Sequence, residues 1–326
     1  MPHALSPYQA SGFNVSDLKT ILHSKRANMY YLEYCRVMQK DGRVLYLTED
    51  ERANLYYNIP IANTTVILLG TGTSITQAAM RVLAQAGVLV GFCGGGGTPL
   101  FAGTEISWLT PQSEYRPTEY VQGWLSWWWD DNKRLQAAKI LQTARMDYLL
   151  TIWQKDRELI ARGFNAPAIL HTIETARNTI AQQSSITHLL QHEAHLTKAL
   201  YKAAASCTKQ EGFSREHDGI DKANRFLNHG NYLAYGLGAT TAWVLGIPHG
   251  FAVMHGKTRR GALVFDIADI IKDALVLPLA FIAAADNLSE QQFRQECLNQ
   301  FIKHNALDTQ FDLIKALALK TDWEAA

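Results

Sequence analysis

The apolar pattern of this chain changes period near residue 110, and that change limits the possible folds more than any other feature. Before it, the runs read as strands. Asn28 to Gln39 (NMYYLEYCRVMQ) alternates roughly, Lys40-Asp41-Gly42 is a hairpin-turn signal, and Arg43 to Thr48 (RVLYLT) returns. Thr64 to Leu69 (TTVILL) is β-branched and expected to be buried on both faces. From about Thr118 the pattern is helical. It covers Tyr120 to Gln142, Arg145 to Ile160, Thr172 to Gln182 and Ser185 to Ser206. Asp221 to Trp243 follows, interrupted at Gly230. After a kink at Pro278, Glu290 to Lys303 and Gln310 to Leu319 close the chain. Gly94 to Gly97, Pro99, Pro111 and Pro117 break regular structure between the two regimes. The expectation is an α+β protein: an N-terminal β-rich domain over 1–110, β-sandwich-like with one crossing helix, and a larger all-helical domain over 111–326.

Composition narrows the partners. The 326 residues carry 31 basic and 30 acidic side chains, net charge +1, which excludes a polycationic tail and confines any nucleic-acid surface to one face. Cys35, Cys93, Cys207 and Cys297 form no CxxC pair, so neither a zinc framework nor a disulfide scaffold is expected. The start MPHALSPYQASGF does not read as a secretory signal, and the longest apolar run, Ala274 to Ala285, is too short to span a bilayer. A cytoplasmic protein with no membrane partner is the expectation.

Two stretches invite familiar assignments and fail on detail. Thr64 to Leu69, the Gly70–Gly72 turn, the helical Ile75 to Ala86 and the strand Val88 to Phe92 outline a dinucleotide-binding unit, yet Ile75 stands at the third glycine position. No acid follows the second strand to hold a ribose. A nucleotide-cofactor enzyme using that loop is kept as an alternative. His192-Glu193-Ala194-His195 has its histidines three apart, where a zinc-protease helix needs four. His188, His192 and His195 share one helix face, and Glu193 points about 100° away from it. Trp124, Trp127 and Trp128 have core spacing, which leaves Trp129 as the surface candidate.

The densest chemistry lies in Gly246 to Asp273 (GIPHGFAVMHGKTRRGALVFDIADIIKD). His255 sits in an apolar segment, Lys257, Arg259 and Arg260 follow, and Asp266, Asp269 and Asp273 share a helix face. Acids beside an imidazole suit a divalent cation, and cations beside them suit phosphate. Taken alone, an acid stripe is ordinarily a solvated face and a lone histidine ordinarily a core residue, so this stretch leaves both readings open.

The order of motifs along the chain carries a resemblance. Glu193 with Tyr201 eight residues on, Asp221-xx-Asn224-xx-Leu227-Asn228-x-Gly230, His255, and Leu263-Val264-Phe265-Asp266-Ile267-Ala268-Asp269 together resemble the CRISPR adaptation integrase family. The Gly-rich strand-helix-strand and WWWDDNKRLQ resemble its type I-F branch. The resemblance implies metal ligands at Glu193, His255 and Asp269, with Asp266 supporting them, and Mg²⁺ or Mn²⁺ as cofactor. Asp269 stands where the common pattern has Glu; it is one methylene shorter and as good a hard-oxygen ligand. The implied function is a metal-dependent DNA endonuclease and integrase. It would insert spacers into a CRISPR array by 3′-hydroxyl attack on a repeat phosphodiester, with Lys257, Arg259 and Arg260 on the phosphates. Implied partners are spacer and repeat DNA, a second copy of the chain, and a second adaptation subunit fused to the interference helicase-nuclease. The β-rich domain would carry the dimer and partner surfaces. A non-catalytic DNA-binding subunit is the other alternative.

Overall fold

The computed structural model describes residues 28–50, 53–94, 107–109, 118–216, 218–255 and 262–323. The expected boundary near residue 110, with Gly95 to Gly97, Pro99, Pro111 and Pro117, lies outside them, as do Lys257, Arg259 and Arg260. The α+β class is as expected: strands first, then helices.

The strands are β1 (Asn28–Leu32), β2 (Arg36–Lys40), β3 (Arg43–Asp50), β4 (Ala53–Ile59), β5 (Thr64–Leu69), β6 (Ser74–Ile75), β7 (Leu89–Phe92) and β8 (Ser107–Leu109), with helix α1 (Gln77–Gln85) between β6 and β7. Among the described residues they form two four-stranded sheets, ordered β1-β5-β7-β8 and β4-β3-β2-β6. The single strand expected over Asn28 to Gln39 is therefore two strands in different sheets. The break is at Tyr34, whose φ of 48° turns the chain out of the first sheet. Every residue of β5 is buried, and its two faces go to different cores. Ile67 and Leu69 join Val37, Val44, Leu83 and Val90 under α1 and the second sheet. Val66 and Leu68, with Met29 and Leu89, join the apolar cluster of the helices.

The outline around Gly70–Gly72 is a parallel β5–β7 pair with α1 crossing between them. The glycine turn does not lead into the helix. Ser74–Ile75 first pair with β2 in the other sheet, and Thr76 caps α1 with its own hydroxyl, accepting from the Ala79 amide at 3.2 Å. The amide-rich end that would hold a pyrophosphate is diverted and already capped, which weighs against the nucleotide alternative.

The helices are α2 (Thr118–Trp128), α3 (Asp131–Lys155), α4 (Arg157–Ala161), α5 (Pro167–Thr179), α6 (Ile186–Cys207), α7 (Lys222–Val244), α8 (Ala262–Ile271), α9 (Leu277–Ala285), α10 (Glu290–Lys303) and α11 (Ala306–Ala318); a π-helical turn, Lys272–Val276, joins α8 to α9. Tyr120 to Gln142 is broken at Asp130, whose carboxylate caps α3 through the Asn132 and Lys133 amides at 2.9 and 3.2 Å. Helix α7 runs unbroken through Gly230. That glycine serves a close approach, since a Cβ there would meet Val276 Cγ1 at 2.5 Å. Gly238, two turns on, lets α8 approach so closely that a Cβ would lie 2.7 Å from the Val264 carbonyl oxygen. Pro278 produces the wide turn in place of a simple kink. It has no N–H for the Ala274 carbonyl, and the Trp153 indole N–H donates to that oxygen at 3.1 Å. No helix among the described residues is long and apolar enough to cross a membrane.

Candidate metal centre

Helix α8 reads ALVFDIADII, and apart from its two aspartates every residue is apolar. A helix apolar on all sides is buried, and its acids go in with it. Asp266, Asp269 and Asp273 are 4, 3 and 2% exposed, so the solvated-face reading of this stripe is wrong. Buried carboxylates need partners, and each has a specific set.

Asp266 holds the loop that carries His255. Its Oδ2 accepts from the amides of Val253 (2.6 Å) and Met254 (3.1 Å), and its Oδ1 from the amide of His255 (3.2 Å). The same Oδ1 lies 2.7 Å from His255 Nδ1. A proton on Nδ1 leaves Nε2 with its lone pair available, the arrangement found in metal-binding histidines. That Nε2 lies 3.8 Å from Asp269 Oδ2. Asp269 Oδ1 is taken by the Lys272 ammonium, one turn along.

Glu193 comes from α6 and is steadied by a buried arginine. Arg145, on α3, bridges Glu193 Oε1 at 2.7 Å and Asp273 Oδ2 through its Nε at 2.9 Å, and also donates to Gln142 Oε1 at 3.2 Å. Glu193, His255 and Asp269 each present one ligand atom, and the three atoms lie within 4.8 Å of one another.

The electrostatics of the cluster suit a divalent cation. Among the described residues, four carboxylates (Glu193, Asp266, Asp269, Asp273) gather with two fixed cations, Arg145 and Lys272, an excess of two negative charges when His255 is neutral. The protonation behaviour follows from that excess. Burial alone would lower the pKa of His255, but the hydrogen bond to Asp266 and the charges of Asp269, Asp266 and Glu193 raise it. Burial alone would raise Asp269, yet Lys272, Arg145 and His255 push it down to about 2. Glu193 is raised by its burial, with Arg145 opposing. Two oxygen donors, one imidazole nitrogen and an excess charge of minus two fit one hard or borderline divalent ion.

Arg145, Lys272 and the partnership of Asp273 were not assigned from the sequence. A signal for Arg145 exists: buried positions of α3 include Leu141, Gln142, Arg145, Met146, Leu149, Ile152 and Trp153, so the arginine stands in core phase. An arginine there requires an acid partner. The other singled-out residues fall elsewhere. His188 and His195 are exposed, and His192 lies 2.8 Å from the Thr179 hydroxyl. Trp124 and Trp127 are fully buried, while Trp129 is 73% exposed. Asp221 caps α7 by accepting from the Asn224 amide at 2.9 Å, and Asn224 fastens the preceding loop through the Ser214 carbonyl at 2.9 Å and the Glu216 amide at 3.0 Å.

Fold and cluster together define a two-sheet module joined to a helical one that gathers an acid, an imidazole and an acid at one point. The sequence profile described as CRISPR associated protein Cas1 matches residues 29–312, and the chain belongs to that family. Among its curated relatives, the CRISPR-associated endonuclease Cas1 of Pseudomonas aeruginosa is 57% identical over 314 residues, covering 94% of this chain and 97% of that protein. The protein of that name from Pectobacterium atrosepticum is 53% identical over 320 residues, 95% and 98% of the two chains. Both relatives accord with the type I-F branch. Solved structures share the fold: a casposase bound to an integration product (TM-score 0.68, 14% identity, 91% of this chain and 92% of that one) and a Cas1 protein from Thermotoga maritima (0.66, 15%, 92% and 100%). A TtCas1–DNA complex superposes with a TM-score of 0.60 at 21% identity, covering 90% and 93%.

Proposed function

We propose that this chain is a metal-dependent DNA endonuclease and integrase of CRISPR adaptation, joining spacer 3′-hydroxyls to repeat phosphodiesters by transesterification. The observation that carries the reading is the meeting of Glu193 from α6, His255 from a loop and Asp269 from α8 within 4.8 Å. Family membership and the relatives named as endonucleases support it. Glu193, His255 and Asp269 hold the ion, Mg²⁺ or Mn²⁺, and the imidazole favours Mn²⁺. When bound, such an ion lowers the pKa of an attacking hydroxyl and neutralises charge on the leaving oxygen.

The chain's own groups prepare the site. Asp266 keeps the Nδ1 proton in place, so Nε2 remains a donor of electrons. Arg145 and Lys272 each engage one oxygen of a ligand carboxylate, fixing its rotation before DNA arrives. Lys257, Arg259 and Arg260 follow His255 in sequence and supply cations for phosphate. The reading extends to a cytoplasmic homodimer acting with a second adaptation subunit, with residues 1–110 as the dimer and partner surface and 111–326 as the catalytic part. The test is a joining assay on branched or pre-nicked DNA, with and without Mn²⁺. Glu193→Ala, His255→Ala and Asp269→Ala are each expected to fold and to lose joining. Normal joining by any one removes that residue from the site.

A further inference from the structure

The segment that delivers His255 has no regular secondary structure, although Ala252, Val253 and Met254 are all buried. A buried irregular segment has no ladder or helix to satisfy its backbone, so the side chains that do so also decide where it lies. Asp266 takes the amides of residues 253 to 255. The carbonyls on the preceding side go to the tryptophan helix. Trp124 Nε1 donates to the Phe251 oxygen at 3.1 Å, and Trp128 Nε1 to the Ala252 oxygen at 2.7 Å. The Trp128 ring also meets Phe251 edge to face, with centroids 5.0 Å apart, and Gln142 on α3 reaches Met254 Sδ at 3.1 Å.

We propose that Trp124 and Trp128 are positioning residues for His255: with Asp266 they form a two-sided brace, amides gripped from α8 and carbonyls gripped from α2, that sets where the imidazole Nε2 stands relative to Glu193 and Asp269. The inference rests on the metal reading of that cluster. It assigns a role to the tryptophan-rich segment that neither its core spacing nor its aromatic chemistry implies. Most tryptophans in a core contribute packing. These two also aim their N–H groups at consecutive carbonyls of the segment that ends on a ligand. Small displacements of a ligand matter at a metal centre, and groups that orient ligands are reflected in metal affinity.

The experiment measures Mn²⁺ affinity of the full chain, without DNA, from the free-ion electron paramagnetic resonance signal. Trp128→Phe keeps most of the ring and removes the N–H donor. Replacement of Trp128 by benzothienylalanine, in which sulfur stands for the indole N–H, does the same with the bicyclic shape retained. Either change is expected to weaken Mn²⁺ binding about five- to tenfold, with little change in thermal midpoint, and Trp124→Phe to act in the same direction. In a His255→Ala background the same substitutions should have no further effect, because the brace acts only through the imidazole. Unchanged affinity in both Trp128 variants overturns the brace, and so does an equal loss in the His255→Ala background, which marks general loosening. If His255→Ala alone left Mn²⁺ affinity intact, the metal reading would fall first and the brace with it. A normal His255 effect with silent tryptophan variants defeats the brace alone.

Discussion

Two helices of this protein carry polar stripes that look alike on paper, and they end in opposite environments. On α6 the stripe is His188, His192 and His195; on α8 and the turn after it, Asp266, Asp269 and Asp273. The histidines lie on a helix with Gln191, Lys198 and Lys202 to share its wet side, and two of the three are exposed. Two of the acids lie on a helix with no other polar residue and the third on the turn after it, beside Lys272, and all three are buried. The fate of a stripe is set by the rest of its helix. A polar face stays in water when the helix has somewhere else to put its apolar residues; when it has not, the acids are carried inside and must find partners.

The largest effect that could break this contrast is on activity. Alanine at Glu193, His255 or Asp269 should cost at least about a thousandfold in strand joining, while His188→Ala with His195→Ala should leave it within about twofold, since surface changes away from such features are nearly silent. Loss of joining in the surface pair would mean the α6 stripe belongs to the site.

Next in size is the stability cost of the buried charges. Arg145→Met removes the cation shared by Glu193 and Asp273 and should destabilise the chain by about 3–5 kcal/mol in urea unfolding. Adding Asp273→Leu should recover part of that loss, because one of the two orphaned carboxylates is then gone. A neutral Arg145→Met would show that the acids on α8 tolerate burial without it.

A smaller effect sharpens the rule at a carboxylate outside both stripes. Asp156 caps α4 through the Glu158 and Leu159 amides at 3.0 and 3.1 Å and pairs with Lys303 at 2.7 Å and His304 at 3.0 Å. Burial opposes ionisation there, but Lys303, the Leu159 amide and His304 win, and the pKa falls below its ordinary value. A depressed folded pKa stabilises the protein above the unfolded carboxylate value of about 3.9, and that contribution is lost as pH falls below it. Asp156→Asn should therefore cost about 1–2 kcal/mol at pH 7 and progressively less toward pH 3. A gap that widened in acid would reverse the assignment. Smallest of all, His188→Ala should move unfolding by no more than about 0.5 kcal/mol.

Much of this architecture was legible in the residues. The change of period announced strands followed by helices, and the β-branched run Thr64–Leu69 announced a strand with two buried faces. Strand β4 was not legible, because Leu55, Tyr56 and Tyr57 are all exposed on an edge and give no alternation to read. Gly230 was misleading. Its sequence context says helix breaker, and only packing against Val276 explains it. The order of motifs pointed to Glu193, His255 and Asp269; spacing alone did not bring them together, since convergence of α6, a loop and α8 is a tertiary event. Arg145 and Lys272 were hidden for the same reason. Their partners come from packing and, for Lys272, from a neighbour one turn away that reads as an ordinary surface pair.

The wide turn at Lys272–Val276 has a consequence for how this helix can vary. It carries one more residue than regular winding requires, so the surplus is taken up locally and the helix on either side keeps the bearing that one residue fewer would give it. With a single residue removed and the turn rewound regularly, the carboxylates upstream and the apolar Leu277–Ala285 downstream would both keep their bearings. The interval between Asp269 and Phe281 thus tolerates the loss of one residue in angle, and a relative that lacks it would hold its acids on a regularly wound helix facing the same way.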